Sequence, residues 1–463
     1  MARFVRIFAH PVHFSSSSRS SIPVFRSLWH QKLDSVSFTR LGTTMSKKHR
    51  VEYDWIKGVE KLEEYQPGGY HPIMVDDVLH GRYIIADKLG FGAYSTVWLA
   101  RDAYLNRYVT LKVCIADSIQ HETKVLRALS AQHSSSSPVY HGRHLVPVFL
   151  HEFEVQGPNG KHICYTVDPA QCNLREVSFN RLFPLEVARA LSYRLVQAVA
   201  YTHSRGYVHG DIHLNNILVK APSSFDELSI KKFYETFGEP ETVPVTRRDG
   251  EPLSPNVPAK AVVPLFLGKY AEKFSSSDAH PLLSDFGEAF SPASDIRLGK
   301  DCHTPIAFRA PEAKFESRIS LAFPSDIWSL ATAIWEIIGM MAIFSTDFMD
   351  EDEIAAQHVD VLGPMPPEWW QRWEGRARFF HEDAYPKESY MENKWPPLEE
   401  SFEIGVQKWR RKMGGEIEEE EKAAFLDLMR RMLSFRPEER PTAEEVLMSD
   451  WMVKWALPDC ERN

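Results

Sequence analysis

Residues 209–216 read H-G-D-I-H-L-N-N, and the chain reads D-F-G at 285–287. An aspartate, an asparagine five positions on and a second, distant aspartate can hold a nucleotide's phosphates and a magnesium ion over an acceptor hydroxyl. In such a set Asp211 would accept the hydroxyl proton. Asn216 and Asp285 would ligate Mg2+, which bridges the phosphates and offsets charge in the transition state. Aspartate and asparagine within one loop are usually turn formers. The order of the other motifs argues for chemistry instead: G-x-G at 90–92, V-T-L-K ending at Lys112, Glu122, the 209–216 run, D-F-G, and A-P-E at 310–312.

The elements that must position these residues are legible in part. R-Y-I-I-A-D-K-L-G and S-T-V-W-L-A-R-D flank a glycine turn, and R-Y-V-T-L-K-V follows. These short β-branched and aromatic runs predict antiparallel strands. The turn Leu89-Gly90-Phe91-Gly92-Ala93-Tyr94-Ser95-Thr96-Val97 lets backbone N–H groups approach phosphate oxygens closely, as expected of an ATP-binding loop. A helix follows neither glycine, which argues against a dinucleotide fold. Lys112, between Leu111 and Val113, is suited to neutralise the α- and β-phosphates, and Glu122 at the start of a predicted helix over 120–129 is its natural partner. After Pro169 the chain turns helical, with Leu185–Ser204 strongly amphipathic. Residues 221–281 are rich in Pro, Ser and Lys with little periodicity and predict a mobile inserted linker.

Composition sets the class. The chain has 463 residues, 43% hydrophobic and 25% charged, enough for two lobes with separate cores. Cys114, Cys164, Cys172, Cys302 and Cys460 form no C-x-x-C pair, which disfavours zinc or a disulfide framework and favours a reducing compartment. The net charge is −9, yet residues 1–50 carry nine Lys/Arg and one acid, so the remainder sums to −9 − 8 = −17. An acidic body disfavours direct nucleic-acid binding and suits basic partners. No membrane span is expected: the apolar stretch 327–344 contains Glu336 and predicts a buried core helix. The first ~45 residues have the composition of a mitochondrial transit peptide. A basic tail, or an extension upstream of a start at Met45, fits equally.

These motifs together resemble the eukaryotic protein kinases over about residues 83–452. The resemblance implies an α+β fold of two lobes, a small antiparallel β lobe with one helix and a larger, mainly helical lobe. The expected division is a tail at 1–50, a lead-in at 51–82, the small lobe at 83–167, the large lobe at 168–452 with the 221–281 insertion, and a tail at 453–463. It implies transfer of the γ-phosphoryl of ATP, with Mg2+, to a serine or threonine hydroxyl. Asp211, Lys112, Glu122 and His213 would be catalytic, Asn216 and Asp285 would bind metal, and Leu89 to Val97, Lys112, Asp168 and Ala170 would bind nucleotide. In the expected hinge at 167–173 Pro169 has no N–H, so Ala170 must donate to adenine. By resemblance Glu312 pairs with Arg440, and Asp326 holds the catalytic loop from below.

Within that family Y-Q-P-G-G-Y-H-P-I, the long insertion and M-D-E-D-E-I-A-A-Q-H-V-D-V-L-G at 349–363 resemble the SR-protein kinases, which phosphorylate Arg-Ser repeats. A monomer acting on a basic protein in the cytoplasm or nucleus is expected, or in mitochondria if the first 45 residues direct it there. Asp347, Asp350, Glu351, Asp352 and Glu353 are expected to line a groove for substrate arginines. Two positions depart from the H-R-D-L-K pattern. Gly210 replaces the arginine that reads an activating phosphate, so turnover should not require phosphorylation between Asp285 and Glu312. His213 replaces the lysine that contacts the transferring phosphoryl group, which weakens charge stabilisation there. H-G-D-I-H also resembles the aminoglycoside and choline phosphotransferases, a rival reading that A-P-E and the acidic 350–353 run disfavour. A pseudokinase scaffold is the third, and every metal and base position being filled argues against it.

Overall fold

The computed structural model describes residues 51–116, 118, 121–131, 142–347 and 349–462. The basic segment 1–50 and its possible targeting role lie outside them. Among the described residues a six-stranded antiparallel sheet forms the small lobe: β1 (Val78–Leu79), β2 (Tyr83–Gly92), β3 (Ser95–Asp102), β4 (Arg107–Ala116), β5 (Phe149–Gly157) and β6 (Gly160–Val167), in the order β1-β2-β3-β4-β6-β5. One face buries Ile85, Trp98, Leu111, Val113 and Cys164. The helix α1 (His121–Ser130) lies across the sheet with Val125, Leu126 and Leu129 inward, as the spacing predicts.

A second, three-stranded sheet forms the cleft floor from β7 (Ala170–Asn173), β8 (Ile217–Lys220) and the distant β11 (Pro281–Leu283), with β8 central. Below it α2 (Leu174–Ser178) precedes α3 (Leu185–Ser204), which is buried along most of its length. Farther along, α6 (Phe323–Ile338) packs on α3 as the core helix expected from its apolar run. No helix among the described residues is long and apolar enough to cross a membrane.

Residues 221–281 are not a structureless linker. They contain α4 (Ile230–Phe237) and a two-stranded ladder of β9 (Thr242–Pro244) and β10 (Lys260–Val262). Although the segment follows residues 209–216 in sequence, it packs on the small lobe. Phe233, Phe225, Leu265 and Leu267 join Ala86, Leu99 and Tyr108 in one cluster, and Leu265 N–H donates to the Lys88 carbonyl at 2.7 Å. The sequence concealed this because the anchoring apolar residues are scattered over about 40 positions, with no run long enough to show a period. Around β9 and β10, Val245, Val257 and Ala261 pack with Tyr53, Leu62, Tyr65 and Tyr70 of the lead-in.

The large lobe also contains α5 (Glu312–Phe315) and α7 (Glu351–Leu362). In α7, His358 is buried edge-on to Trp328 at 4.9 Å and Phe344 at 4.5 Å, and neither ring nitrogen has a hydrogen-bond partner. Burial, then the charge of Arg440, pushes its pKa from 6.5 down to about 3. The folded value lies below the unfolded one. Its contribution is therefore fully present above the unfolded pKa and is lost as pH falls toward the folded pKa, because the unfolded chain takes the proton first. The expected loss is on the order of 2 kcal/mol by about pH 5. Urea denaturation of a His358→Leu variant between about pH 7 and pH 5 should show a flatter profile than the parent. An unchanged slope would remove His358 as the cause.

Candidate active site

The loop 209–216 is held by a buried carboxylate from the large lobe. Asp326 lies in the first turn of α6 and is 1% exposed. Its Oδ2 accepts from His209 N–H at 2.6 Å and lies 2.9 Å from His203 Nε2, while Oδ1 accepts from Gly210 N–H at 2.9 Å. Burial opposes ionisation of Asp326, yet the hydrogen bond from His203 and the charges of His203 and His209 hold its pKa below the ordinary value. The expectation for Asp326 thus has its geometry. His203, in the last turn of α3, is a partner that no motif had marked.

Gly210 has φ +78°, and a Cβ there would lie 2.9 Å from the Glu288 carbonyl oxygen. Both conformation and space therefore require glycine. The loop packs directly against the segment after D-F-G. In that segment Glu288 pairs with Arg297 at 2.7 Å and approaches His303 Nδ1 at 2.9 Å. The Thr304 hydroxyl donates to the Gly210 carbonyl, and Arg309 Nε donates to the Thr304 carbonyl at 2.9 Å.

At the centre, Asn216 Nδ2 donates to Asp211 twice, to the backbone oxygen at 2.9 Å and to Oδ2 at 2.8 Å. Asp211 Oδ1 is buried, with His213 Nε2 at 3.4 Å. The His213 ring stacks on Phe308 with centroids 5.5 Å apart, and its Nδ1 is buried without a partner. The histidine that replaces lysine therefore sits against Asp211 and Asn216, whose Nδ2 is 3.3 Å from Nε2.

The second aspartate arrives through strand pairing. The β8–β11 register sets Ile217 opposite Leu283, and Ser284 N–H donates to the Asn216 carbonyl at 2.8 Å. Asp285, next in line, has φ +63° and half its side chain open to the cleft. Lys112 Nζ reaches it from β4 at 3.2 Å and binds Glu122 Oε2 of α1 at 2.7 Å, as the motif spacing predicts. The Lys112 charge pulls the Asp285 pKa below its ordinary value against the effect of burial. For Lys112 burial lowers the pKa, but Glu122, Tyr165 and Asp285 together raise it well above the ordinary value. The ammonium is thus fixed in place and charged.

The donor set fits Mg2+. With Asn216 Nδ2 committed to Asp211, the free end of that amide is an oxygen, and Asp285 adds a carboxylate. Oxygen donors are what magnesium prefers, and it commonly takes the rest of its octahedral shell from phosphates and water. Among the described residues no group of three or more His, Cys, Asp or Glu could hold a metal alone.

Of the expected nucleotide contacts, Leu89 to Gly92 end β2, Ala93 and Tyr94 form the turn, and Ser95 to Val97 open β3, with Gly92 opposite Ser95. A Cβ on Gly90 or Gly92 would meet nothing within 4 Å, so the space beside both glycines is open. Ser95 and Thr96 are buried, and Thr96 Oγ1 accepts from Trp98 Nε1 at 2.9 Å. Asp168 and Ala170 lie where β6 passes into β7, with Asp168 3.9 Å from Arg107.

In the acidic run each carboxylate from Asp350 to Glu353 has a cation beside it. Asp350 and Glu353 form the capping box of α7, and Arg378 pairs with both. Glu351 pairs with Arg309 at 2.8 Å and Asp352 with Lys314 at 2.8 Å. Any arginine docking here competes with these cations. Sequence patterning showed the acids but not their partners, which come from 28 to 42 residues away for Arg378 and Arg309. Glu312 and Arg440 form the expected pair, with two bonds of 2.8 and 2.7 Å.

Comparison with known proteins gives a consistent picture. The family model described as protein kinase domain matches residues 83–232 and 274–452. A serine/threonine protein kinase of Aspergillus fumigatus is 28% identical over 413 residues, covering 85% of this chain and 90% of that one. Protein kinase dsk1 of Schizosaccharomyces pombe is 25% identical, covering 90% of each. SRSF protein kinase 3 of Homo sapiens is 30% identical over 169 residues, 35% of this chain and 29% of that one. A crystal structure of a kinase domain superposes with TM-score 0.58 at 18% identity, over 83% of this chain and 98% of that one.

Proposed function

Since this chain belongs to the protein kinase family and is a serine/threonine protein kinase resembling the SR-protein kinases, we propose that it phosphorylates serines in basic, Arg-Ser-rich proteins through Asp211. The observation that carries the assignment of roles is the convergence of Lys112 and Glu122, from the small lobe, on Asp285, which strand pairing brings beside Asn216 and Asp211. Lys112, locked by Glu122, steadies the α- and β-phosphates. Asp285 and Asn216 hold Mg2+, which when bound neutralises the charge that develops on the transferring group. Asp211, oriented by Asn216, accepts the proton of the acceptor hydroxyl as that oxygen attacks. His213 stands beside Asp211, with Nε2 3.4 Å from Oδ1. Leu89 to Val97 cover the phosphates, and Asp168 and Ala170 face the adenine side. Rate comes from positioning and charge compensation rather than covalent chemistry.

The Glu288–Arg297–His303 cluster and the Thr304–Gly210 bond supply internal restraints where a phosphate would otherwise order the segment. They support turnover without activating phosphorylation. The net charge of −17 outside residues 1–50 supports a basic substrate, and a monomer in the cytoplasm or nucleus accords with this reading. The small-molecule phosphotransferase reading is disfavoured by the anchored A-P-E segment and by the relatives' names.

One experiment tests both substrate and regulation. Phosphatase-treated enzyme is assayed with ATP and Mg2+ on Arg-Ser, acidic and tyrosine peptides, and on choline and an aminoglycoside. The expected result is the highest kcat/KM on the Arg-Ser peptide, undiminished by phosphatase. Preferred turnover of a small-molecule acceptor would overturn the substrate assignment, and loss of activity after phosphatase would overturn the regulatory one.

A further inference from the structure

The lead-in reaches the glycine hairpin at two points. The Tyr70 hydroxyl, in a residue 5% exposed, donates to the Gly92 carbonyl at 2.7 Å. Lys88, on β2 just before the glycines, forms a fully buried ion pair with Glu60. The two anchors are linked. Tyr65 donates its hydroxyl to Glu60, and its ring lies 5.4 Å from that of Tyr70. The backbone around Tyr70 is itself pinned. Asn159 Nδ2 donates to the Tyr70 carbonyl at 2.6 Å, and Ala116 N–H at the end of β4 donates to the Gly69 carbonyl at 3.0 Å. Residues of the insertion close the cluster, with Val245, Val257 and Ala261 packed against Tyr65 and Tyr70. All of these except Lys88, Gly92, Ala116 and Asn159 lie outside the ranges matched by the family model.

We infer that Tyr70 is a positioning residue for nucleotide binding, fixing the peptide plane between Gly92 and Ala93. In a trans peptide the C=O and N–H point in opposite directions. Holding the Gly92 oxygen on Tyr70 therefore turns the Ala93 N–H to the side away from Tyr70, in a turn where a Cβ on either glycine would meet only open space. An N–H held in advance of binding contributes more affinity than one that must be ordered by the ligand. Burial, then Glu60 and Glu64, pushes the Tyr70 phenol up to about 12, so it stays a donor at working pH. The inference rests on the reading of Leu89 to Val97 as the phosphate-covering turn.

The test uses the full chain with two variants. Tyr70→Phe removes only the hydroxyl. Val257→Ala loosens the same cluster without touching the hydrogen bond. For Tyr70→Phe, KM for ATP and the Kd of a non-hydrolysable ATP analogue with Mg2+ should rise about two- to tenfold, the effect of one hydrogen bond. The KM for the protein substrate should not change. Val257→Ala should lower the melting temperature yet keep the parent's nucleotide affinity. Unchanged nucleotide affinity in Tyr70→Phe, or an equal loss in Val257→Ala, overturns the inference while the glycine-turn reading stands. Failure of the parent to bind the analogue overturns both.

Discussion

An Asp211→Asn enzyme is expected to turn over roughly 10²–10⁴-fold more slowly than the parent, the range for loss of a general base. The substitution is nearly isosteric, so the loss can be read as chemistry. Asn216 Nδ2 now donates to Asp211 Oδ2 at 2.8 Å, and the amide oxygen of an asparagine can accept the same bond. The new amide N–H would face His213 Nε2, which accepts when that nitrogen is unprotonated. Lys112, Glu122 and Asp285 make no hydrogen bond to Asp211, so nucleotide affinity should be preserved. Steady-state kinetics beside nucleotide binding then separates the possibilities. Equal falls in kcat and kcat/KM with unchanged Kd mark an interaction made only in the transition state. A rate within tenfold of the parent would remove Asp211 from the base role.

Replacing Arg440 by leucine should destabilise the fold by about 3–5 kcal/mol, the range for removing one partner of a buried pair. Its side chain is 0% exposed and that of Glu312 is 7%. The guanidinium also donates to three backbone carbonyls, Pro324, Ser434 and Phe435, at 2.8 to 3.1 Å. Its loss would leave a carboxylate with little access to water and several carbonyls short of a donor, which is where most of the cost arises. The double variant Glu312→Leu with Arg440→Leu removes the orphaned charge and should recover much of the loss. Urea denaturation of parent, single and double variants checks this. A single-variant loss under about 1 kcal/mol, or no recovery in the double, would show that the pair is not the anchor of the A-P-E segment.

The two regions differ in how much of them the sequence carries. The meeting of Asp211, Asn216, Asp285, Lys112 and Glu122 in one place was legible because phosphoryl transfer would demand fixed residue types in a fixed order, and short loops keep their spacing. The strands on either side of Gly90 and Gly92, and the full extent of α3, were legible because alternation and helical periodicity are local properties. The insertion was not. Its apolar anchors bury themselves in the small lobe, and nothing in their own neighbourhood signals where that surface is. The cation partners of the acidic run were hidden for the same reason: Arg309, Lys314 and Arg378 meet it only in the folded chain. Gly210 was readable as a missing arginine, but not as a residue forced to φ +78° against the Glu288 carbonyl.

The sequence by itself determined the chemistry at 209–216: which side chain can take a proton, which can ligate magnesium, and which family's order of motifs they follow. Only the tertiary structure decided how those groups are held. His203 and Asp326 under the loop, Tyr70 on the Gly92 carbonyl and His213 against Asp211 are placed by elements that meet only in the folded chain. Residue type fixes what a group can do, since that is intramolecular chemistry. Orientation is fixed by hydrogen bonds and packing between segments far apart in sequence, and these exist only once the chain has closed on itself.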